Sequence, residues 1–266
     1  DRDVLNPGEE GYAQLRLEEE IVAKRKDKFI IRFYSPMFTI GGGKVLESNP
    51  TKKKRFNQDV LEELKIKDKG TPLEVLEKII EDKSKDFPTI KDLSLSTSIL
   101  ENMLNKNIDI LVKEGKLLTF SLTKDVYIVH YNYFNYLKKS IIDELKSYHA
   151  KYPLRKGIAK EEIRGKFLKN AIPRLGELIL DKLIDKEYIE QDMEHLKLKG
   201  FSISFGEKHT EIKNNIIRIL NKNLYLPPKK EELLKSIKFN KEEFEEVFKA
   251  LINIGDIIRL NEEVFI

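Results

Sequence analysis

Gly41-Gly42-Gly43-Lys44 is the run in this chain that most invites phosphate chemistry, because glycine lets backbone N–H groups close around an anion. The spacing refuses it. A G-x-x-x-x-G-K-[ST] loop needs glycine where Phe38 stands and a hydroxyl where Val45 follows the lysine. The strand-like residues around the run point instead to a bend or a close backbone approach. Asn105-Lys106-Asn107-Ile108-Asp109 misses a guanine-reading N-K-x-D by one residue and sits inside a helical pattern. The four histidines, His130, His149, His195 and His209, show no ligand spacing, so no metal site is expected. The absence of cysteine removes disulfides, thiol catalysis, iron–sulfur clusters and cysteine-based zinc sites. Glu161 and Glu162 are neighbours on a helix and point in different directions, which makes no acid/base dyad. Neither catalysis nor a resident cofactor is expected of these residues.

Polyanion binding is the chemistry the charges favour. Segment 131–206 holds 15 basic against 11 acidic side chains, whereas 71–130 is slightly acidic and 207–266 is balanced. Lys151, Arg155, Lys156, Lys160, Arg164, Lys166, Lys169 and Arg174 are the candidates for a nucleic-acid backbone. Lys229, Lys230 and Arg259 belong to the balanced segment and are weaker. Lys-rich helices with interleaved Glu also serve as plain solvated faces. Tyr131, Tyr133, Phe134 and Tyr136 form an aromatic group that suits either base stacking or stapling a helix to its core.

The elements that must position these residues come in two kinds. Residues 1–50 alternate apolar and polar side chains over GYAQLRLEEEIVA and KFIIRFYSPMFTIGGGKVLE, which predicts two or three strands. So few strands cannot close a core, and 1–50 reads as the tail of a β-domain. A basic connector, 51–70, follows. From Thr71 the chain becomes helical and repeats: LVKEGKLLTF, LIDKEYIEQD and LINIGDIIRL start 72 and 68 residues apart.

Each repeat reads as three helices closed by a β-hairpin, the winged-helix arrangement. In the first, Thr71-Pro72-Leu73-Glu74 is a capping box with proline at N1. A longer helix carrying Leu100, Met103, Leu104, Ile108 and Leu111 stops at Gly115. The predicted architecture is mainly α with small β-hairpins: winged helices over 71–130, 131–206 and 207–266, preceded by the terminal strands of a β-domain. The chain has no apolar run long enough to span a membrane and begins with no signal peptide; not starting with Met, it reads as part of something longer.

Two stretches resemble a known family. PGEEGYAQLRLEEEIVAKRKDKFIIRFYSPMFTIGGGKVLE, with its YSP-M-x-TIGGG-x-V pattern and the KKKRF that follows, resembles the end of domain III of the selenocysteine-specific elongation factor family, SelB. YHAKYPLRKGIAKEEIR resembles the H-x-x-x-PLR-x-G-x-x-KEE-x-R stretch of that family's second winged helix. The third repeat is similar by position and architecture. The resemblance makes the β-domain an elongation-factor-type β-barrel and implies a parent translational GTPase, cytoplasmic and related to elongation factor Tu. That protein would deliver selenocysteinyl-tRNA to the ribosome at UGA codons marked by an mRNA hairpin. GTP and Mg would belong to a GTPase domain outside this chain, and a fourth winged helix would be the chief hairpin reader. In the related factors domain III touches the tRNA T-stem through a loop whose matching residues here are Thr39, Gly41, Gly42 and Gly43, with Arg32 nearby. The glycines equally suit a bend in the barrel.

Three readings of function follow. The first is the RNA-binding, bridging C-terminal region of such a factor, with tRNA, mRNA hairpin and ribosome as partners and no membrane. The second is a DNA-binding regulator, which the neutral or acidic third helices SILENMLNKNIDILVKEG and NKEEFEEVFKALINIG disfavour. The third is a protein-interaction scaffold.

Overall fold

Helix boundaries in this chain are written by short capping signals, and the computed structural model, which describes residues 2–48, 50, 52–223, 227–236, 239–261 and 264–266, realises them. The chain falls into two compact units, Asp1–Phe134 and Asn135–Ile266.

In the first unit, β1 (Lys28–Arg32) pairs antiparallel with β2 (Thr39–Lys44). The alternating stretch 11–23, predicted as a further strand, forms none, since no neighbouring strand completes its backbone hydrogen bonds among the described residues. The two-stranded ribbon leaves Ile30, Phe33, Tyr34, Met37, Phe38 and Ile40 exposed. Polar ties to α1 (Gln58–Lys69) hold it. Tyr12 donates to Asp68 at 3.1 Å, Arg25 donates to the Lys67 carbonyl at 2.6 Å, and Lys44 pairs with Asp68. Lys67 is the centre of these ties. Only 3% exposed, it reaches Glu63 at 2.5 Å, Glu47 at 3.1 Å and Asp82 at 3.2 Å, three carboxylates from three stretches of chain. Lys53 completes Glu63 at 2.9 Å.

The first winged helix comprises α2 (Pro72–Lys83), α3 (Ile90–Thr97), α4 (Glu101–Lys113), β3 (Leu117–Ser121) and β4 (Val126–His130). Thr71 and Glu74 form the reciprocal box ahead of α2, and Thr89 and Asp92 repeat it ahead of α3. Leu76, Ile80, Leu93, Leu104, Ile108, Leu111, Leu117 and Ile128 make one buried cluster. Leu100 and Met103, read with them as residues of the longer helix, are exposed. Leu100 is the extended N-cap residue, and Met103 lies one position off the 104–108–111 stripe.

The second unit begins along α5 (Tyr131–Lys151) and continues through β5 (Ile158–Ala159), α6 (Lys160–Phe167), α7 (Pro173–Asp185), β6 (Ile189–Asp192) and β7 (His195–Leu198). The short β5, not anticipated, makes the wing a three-stranded sheet of order β5-β7-β6. Then come α8 (Glu207–Lys222), α9 (Lys230–Ser236) and α10 (Lys241–Ile254). Ile258 and Ile266 exchange backbone hydrogen bonds at 2.6 and 2.9 Å, which ties the two sides of the last wing together. A separate buried cluster contains Ile212, Ile216, Leu233, Phe244, Val247, Phe248, Leu251 and Phe265.

Each wing is launched from the same helix ending. After α4, Gly115 at φ +73° sends its N–H to Val112 and Lys116 sends its N–H to Leu111, at 3.0 and 2.9 Å. Gly255 does the corresponding job after α10, at φ +84°. After α7 the position is Glu187, at φ +56°, with its N–H on Ile184 at 2.7 Å and that of Tyr188 on Leu183 at 3.0 Å. An L-residue there costs about 1–2 kcal/mol that glycine avoids, partly offset by glycine's greater unfolded-state freedom. Glu187→Gly is therefore expected to stabilise the second unit by about 0.5–1 kcal/mol, even after losing the exposed Glu187–Lys199 pair. A thermal melt that falls rather than rises would refute this.

Candidate nucleic-acid interface

The glycine run is a strand, not a loop. Gly41, Gly42 and Gly43 lie within β2 opposite Ile31, Ile30 and Phe29, and Thr39 lies opposite Arg32 across a register shift. A Cβ on Gly42 would sit 2.7 Å from the Phe29 carbonyl oxygen, and one on Gly43 would sit 2.8 Å from the Phe29 ring. Packing against β1 therefore explains those two glycines. A Cβ on Gly41 would meet nothing within 4 Å, so open space lies beside it. The structure thus brings Arg32, Thr39 and Gly41 together at one exposed end of the ribbon.

The basic residues of 131–206 divide by their partners. Lys156 meets Asp192 at 3.3 Å, Lys160 meets Asp181 at 3.4 Å, and Arg164 meets Glu161 at 2.8 Å. Lys166 pairs with Glu144 and Arg174 with Glu177, at 2.6 and 2.7 Å. These cations are largely answered by the protein's own carboxylates. Lys151, Lys169 and Lys249 make no ion pair with a described residue.

Lys151 and Lys249 border one cleft of about 420 Å³ in the second unit. The last turn of α5 contributes Tyr148 and Lys151, the following loop Tyr152, Arg155 and Lys156, β7 His195, α8 His209, and α10 Glu246, Lys249 and Asn253. The loop is pinned at Gly157, where a Cβ would lie 2.1 Å from the Leu196 carbonyl oxygen. The Tyr148 and Tyr152 rings are 5.0 Å apart, with the Arg155 guanidinium 4.2 Å from the Tyr152 ring centre. Hydrogen bonding to Tyr148 raises the Arg155 pKa above its ordinary value. Glu246 stands 3.7 Å away from Arg155. Lys151, Arg155 and Lys249 against the one lining carboxylate, Glu246, beside two aromatic rings, form a surface suited to an anionic ligand that carries flat groups, while Lys156 is held by Asp192. A wider depression of about 600 Å³ is carboxylate-rich, with Glu187, Glu190 and Asp192 along it, and suits a polyanion poorly.

Tyr148 and Tyr152 stand four residues apart in the sequence, and that spacing is the local signal for this pair. Glu246 and Lys249 carry no local signal, because only tertiary packing brings α10 to the α5 loop. The aromatic group at 131–136 is no base platform as a set. Phe134 is 1% exposed, Tyr131 stacks on it, and Tyr133 meets Phe87 edge-on. His149 is buried, stacked 3.5 Å from Phe201 and accepting from the Leu198 N–H at 3.3 Å. Burial, then the nearby Lys197 charge, lowers its pKa. Among the described residues no group of three or more His, Asp or Glu could hold a metal ion, and no helix is long and apolar enough to cross a membrane.

Known proteins share these parts. The family described as selenocysteine-specific elongation factor, beta-barrel domain, matches residues 3–52, and that described as elongation factor SelB, winged helix, its second such domain, matches 142–198. A selenocysteine-specific elongation factor from Desulfomicrobium baculatum is 24% identical over all 266 residues, which span 42% of its length. The crystal structure of a bacterial selenocysteine-specific elongation factor, EF-Sec, is similar at 15% identity and a TM-score of 0.47, over 94% of this chain and 37% of that one. Through the stretches 3–52 and 142–198, the chain is similar to the β-barrel and second winged-helix domains of the selenocysteine-specific elongation factor family, SelB.

Proposed function

We propose that this chain is the RNA-binding, bridging region of an elongation factor that delivers selenocysteinyl-tRNA to the ribosome at UGA codons marked by an mRNA hairpin. The observation that carries this reading is the occurrence, in one chain, of the family's β-barrel match at 3–52 and winged-helix match at 142–198. The segments have separate tasks: 1–50 with Arg32, Thr39 and Gly41 faces tRNA, 51–70 connects, and the winged helices 71–130, 131–206 and 207–266 reach toward the hairpin and the ribosome. In the whole protein, GTP and Mg are bound and hydrolysis performed by a domain other than these, in the cytoplasm.

Lys151 and Arg155 are the RNA-backbone contacts best supported by geometry, since Lys151 has no carboxylate partner among the described residues and Arg155 is half exposed. Lys156, Lys160 and Arg164 reach a phosphate only by leaving Asp192, Asp181 and Glu161.

Anisotropy titrations with tRNA, a stem-loop RNA and a duplex DNA of equal length test the reading. Tighter binding to the RNAs is expected, and substituting Lys151 and Arg155 together by Ala is expected to reduce the slope of log K against log salt by about 2. Preference for the duplex DNA would replace the proposal with the regulator reading.

A further inference from the structure

We infer that the cleft between the α5–β5 loop and α10 takes an unstacked nucleotide of single-stranded RNA, and that Glu246 occupies the phosphate's place on Arg155 when no RNA is bound. The inference rests on the RNA-binding reading above and adds to it a site, a ligand class and a competitor.

The cleft has the two requirements of single-strand binding. One is a flat apolar face. The Tyr152 ring is already paired with a planar cation, Arg155, at 4.2 Å, and Tyr148 lies beside it, so a base can stack in the same layer. The other is fixed positive charge at the rim. Lys151 and Lys249 both line the cleft, neither with an ion-pair partner among the described residues, and Lys151 is 5.1 Å from the Tyr152 ring. A duplex is a poor occupant because its bases are stacked on one another and cannot present a face to Tyr152. The volume of about 420 Å³ falls within the range of small-ligand sites.

Glu246 is the one carboxylate in the cleft, and its oxygen lies 3.7 Å from the Arg155 guanidinium with both side chains about half exposed. That is a loose, solvated pair, easily exchanged. A phosphate is a better bidentate partner for arginine than a carboxylate at that distance. RNA would then displace Glu246 toward Lys249, one helical turn along α10 at i+3.

The test is anisotropy of 5′-fluorescein-labelled decauridylate with the full chain, alongside the same decamer annealed to decaadenylate. Single strand is expected to bind more tightly than duplex. Tyr152→Leu is expected to weaken the single strand roughly tenfold and Tyr152→Phe to leave it unchanged, because the phenyl face stacks as well as the phenol. Glu246→Gln is expected to strengthen binding severalfold and Arg155→Ala to abolish that gain, with thermal melts confirming that each variant is folded. If Tyr152→Leu and Glu246→Gln both leave decauridylate affinity unaltered while tRNA and stem-loop RNA still bind, the cleft assignment is wrong and the broader RNA-binding reading survives. If no RNA binds wild type, that broader reading fails with it. Equal loss of single strand and duplex in Tyr152→Leu would also overturn the inference, since it would mean that no base stacks there.

Discussion

Lys67→Met is expected to destabilise the unit Asp1–Phe134 by about 3 kcal/mol, the low end of the range for breaking a buried pair by removing one partner. Glu63, Glu47 and Asp82 converge on this ammonium, so its loss leaves carboxylates of one sign crowded around an apolar side chain. The figure is held down by Lys53, which remains to answer Glu63, and by the partial exposure of Glu47 and Asp82. Urea unfolding followed by far-ultraviolet dichroism reads it as a lower midpoint at unchanged slope. A change under about 1 kcal/mol would mean that the network is no stronger than surface pairs.

The same network sets a pH window. Burial alone would raise the Glu63 pKa, but hydrogen bonds from Lys67 and Lys53 bring it below the usual carboxylate value. Its stabilisation is therefore full above the unfolded carboxylate pKa and is lost as pH falls through the lowered folded value. Burial opposes the charge of Lys67 too, yet Glu63, Glu47 and Asp82 raise its pKa above an ordinary lysine. That contribution is full below the unfolded ammonium pKa and is lost only as pH rises through the raised folded value. The tie holds across neutral pH and loosens first in acid.

Phe248→Ala is expected to cost about 3–5 kcal/mol, the range for truncating a buried aromatic. The ring is 1% exposed, stacked on Phe244 at 5.4 Å and edge-on to Phe265 at 4.8 Å, so its removal opens the cluster where α10 meets the last wing. The loss should be regional. The 71–130 cluster shares no residue with this one, so hydrogen exchange should speed up along α8 and α10 while α2 and α4 keep their protection. Equal acceleration in α2 and α4 would contradict the separation of the two cores.

The fold was legible in the sequence wherever a signal was local. Thr71 with Glu74, Gly115 and Gly255 each announce a helix end within four residues, and the wings follow at once. Glu187 escaped notice because a left-handed glutamate has no compositional mark; only the match of LIDKEYIEQD to LVKEGKLLTF places it where Gly115 stands. The stretch 11–23 alternates yet forms no strand, because alternation states a preference for a sheet without supplying the partner. The site was less legible than the fold. Counting lysines in 131–206 located the positive unit but did not show that Lys156, Lys160 and Arg164 are held by aspartates and a glutamate. Nor does any pattern around Glu246 or Lys249 announce the loop at Arg155, more than ninety residues earlier in the chain. Charge is written locally, whereas its neutralisation is decided by packing.

The exposed β1–β2 ribbon has a consequence for how solutions of this protein behave. Among the described residues both of its strands are edges, and an apolar edge is a template on which a second copy can add a strand. Lys28 and Arg32 lie along that ribbon, so two copies approaching along β1 would meet like charge. This repulsion is expected to keep the molecules apart at low ionic strength and to fail at molar salt, where the screening length falls to about 3 Å. Colloidal behaviour and RNA affinity therefore respond to the same variable, and a salt series in dilute protein separates release of RNA from self-association.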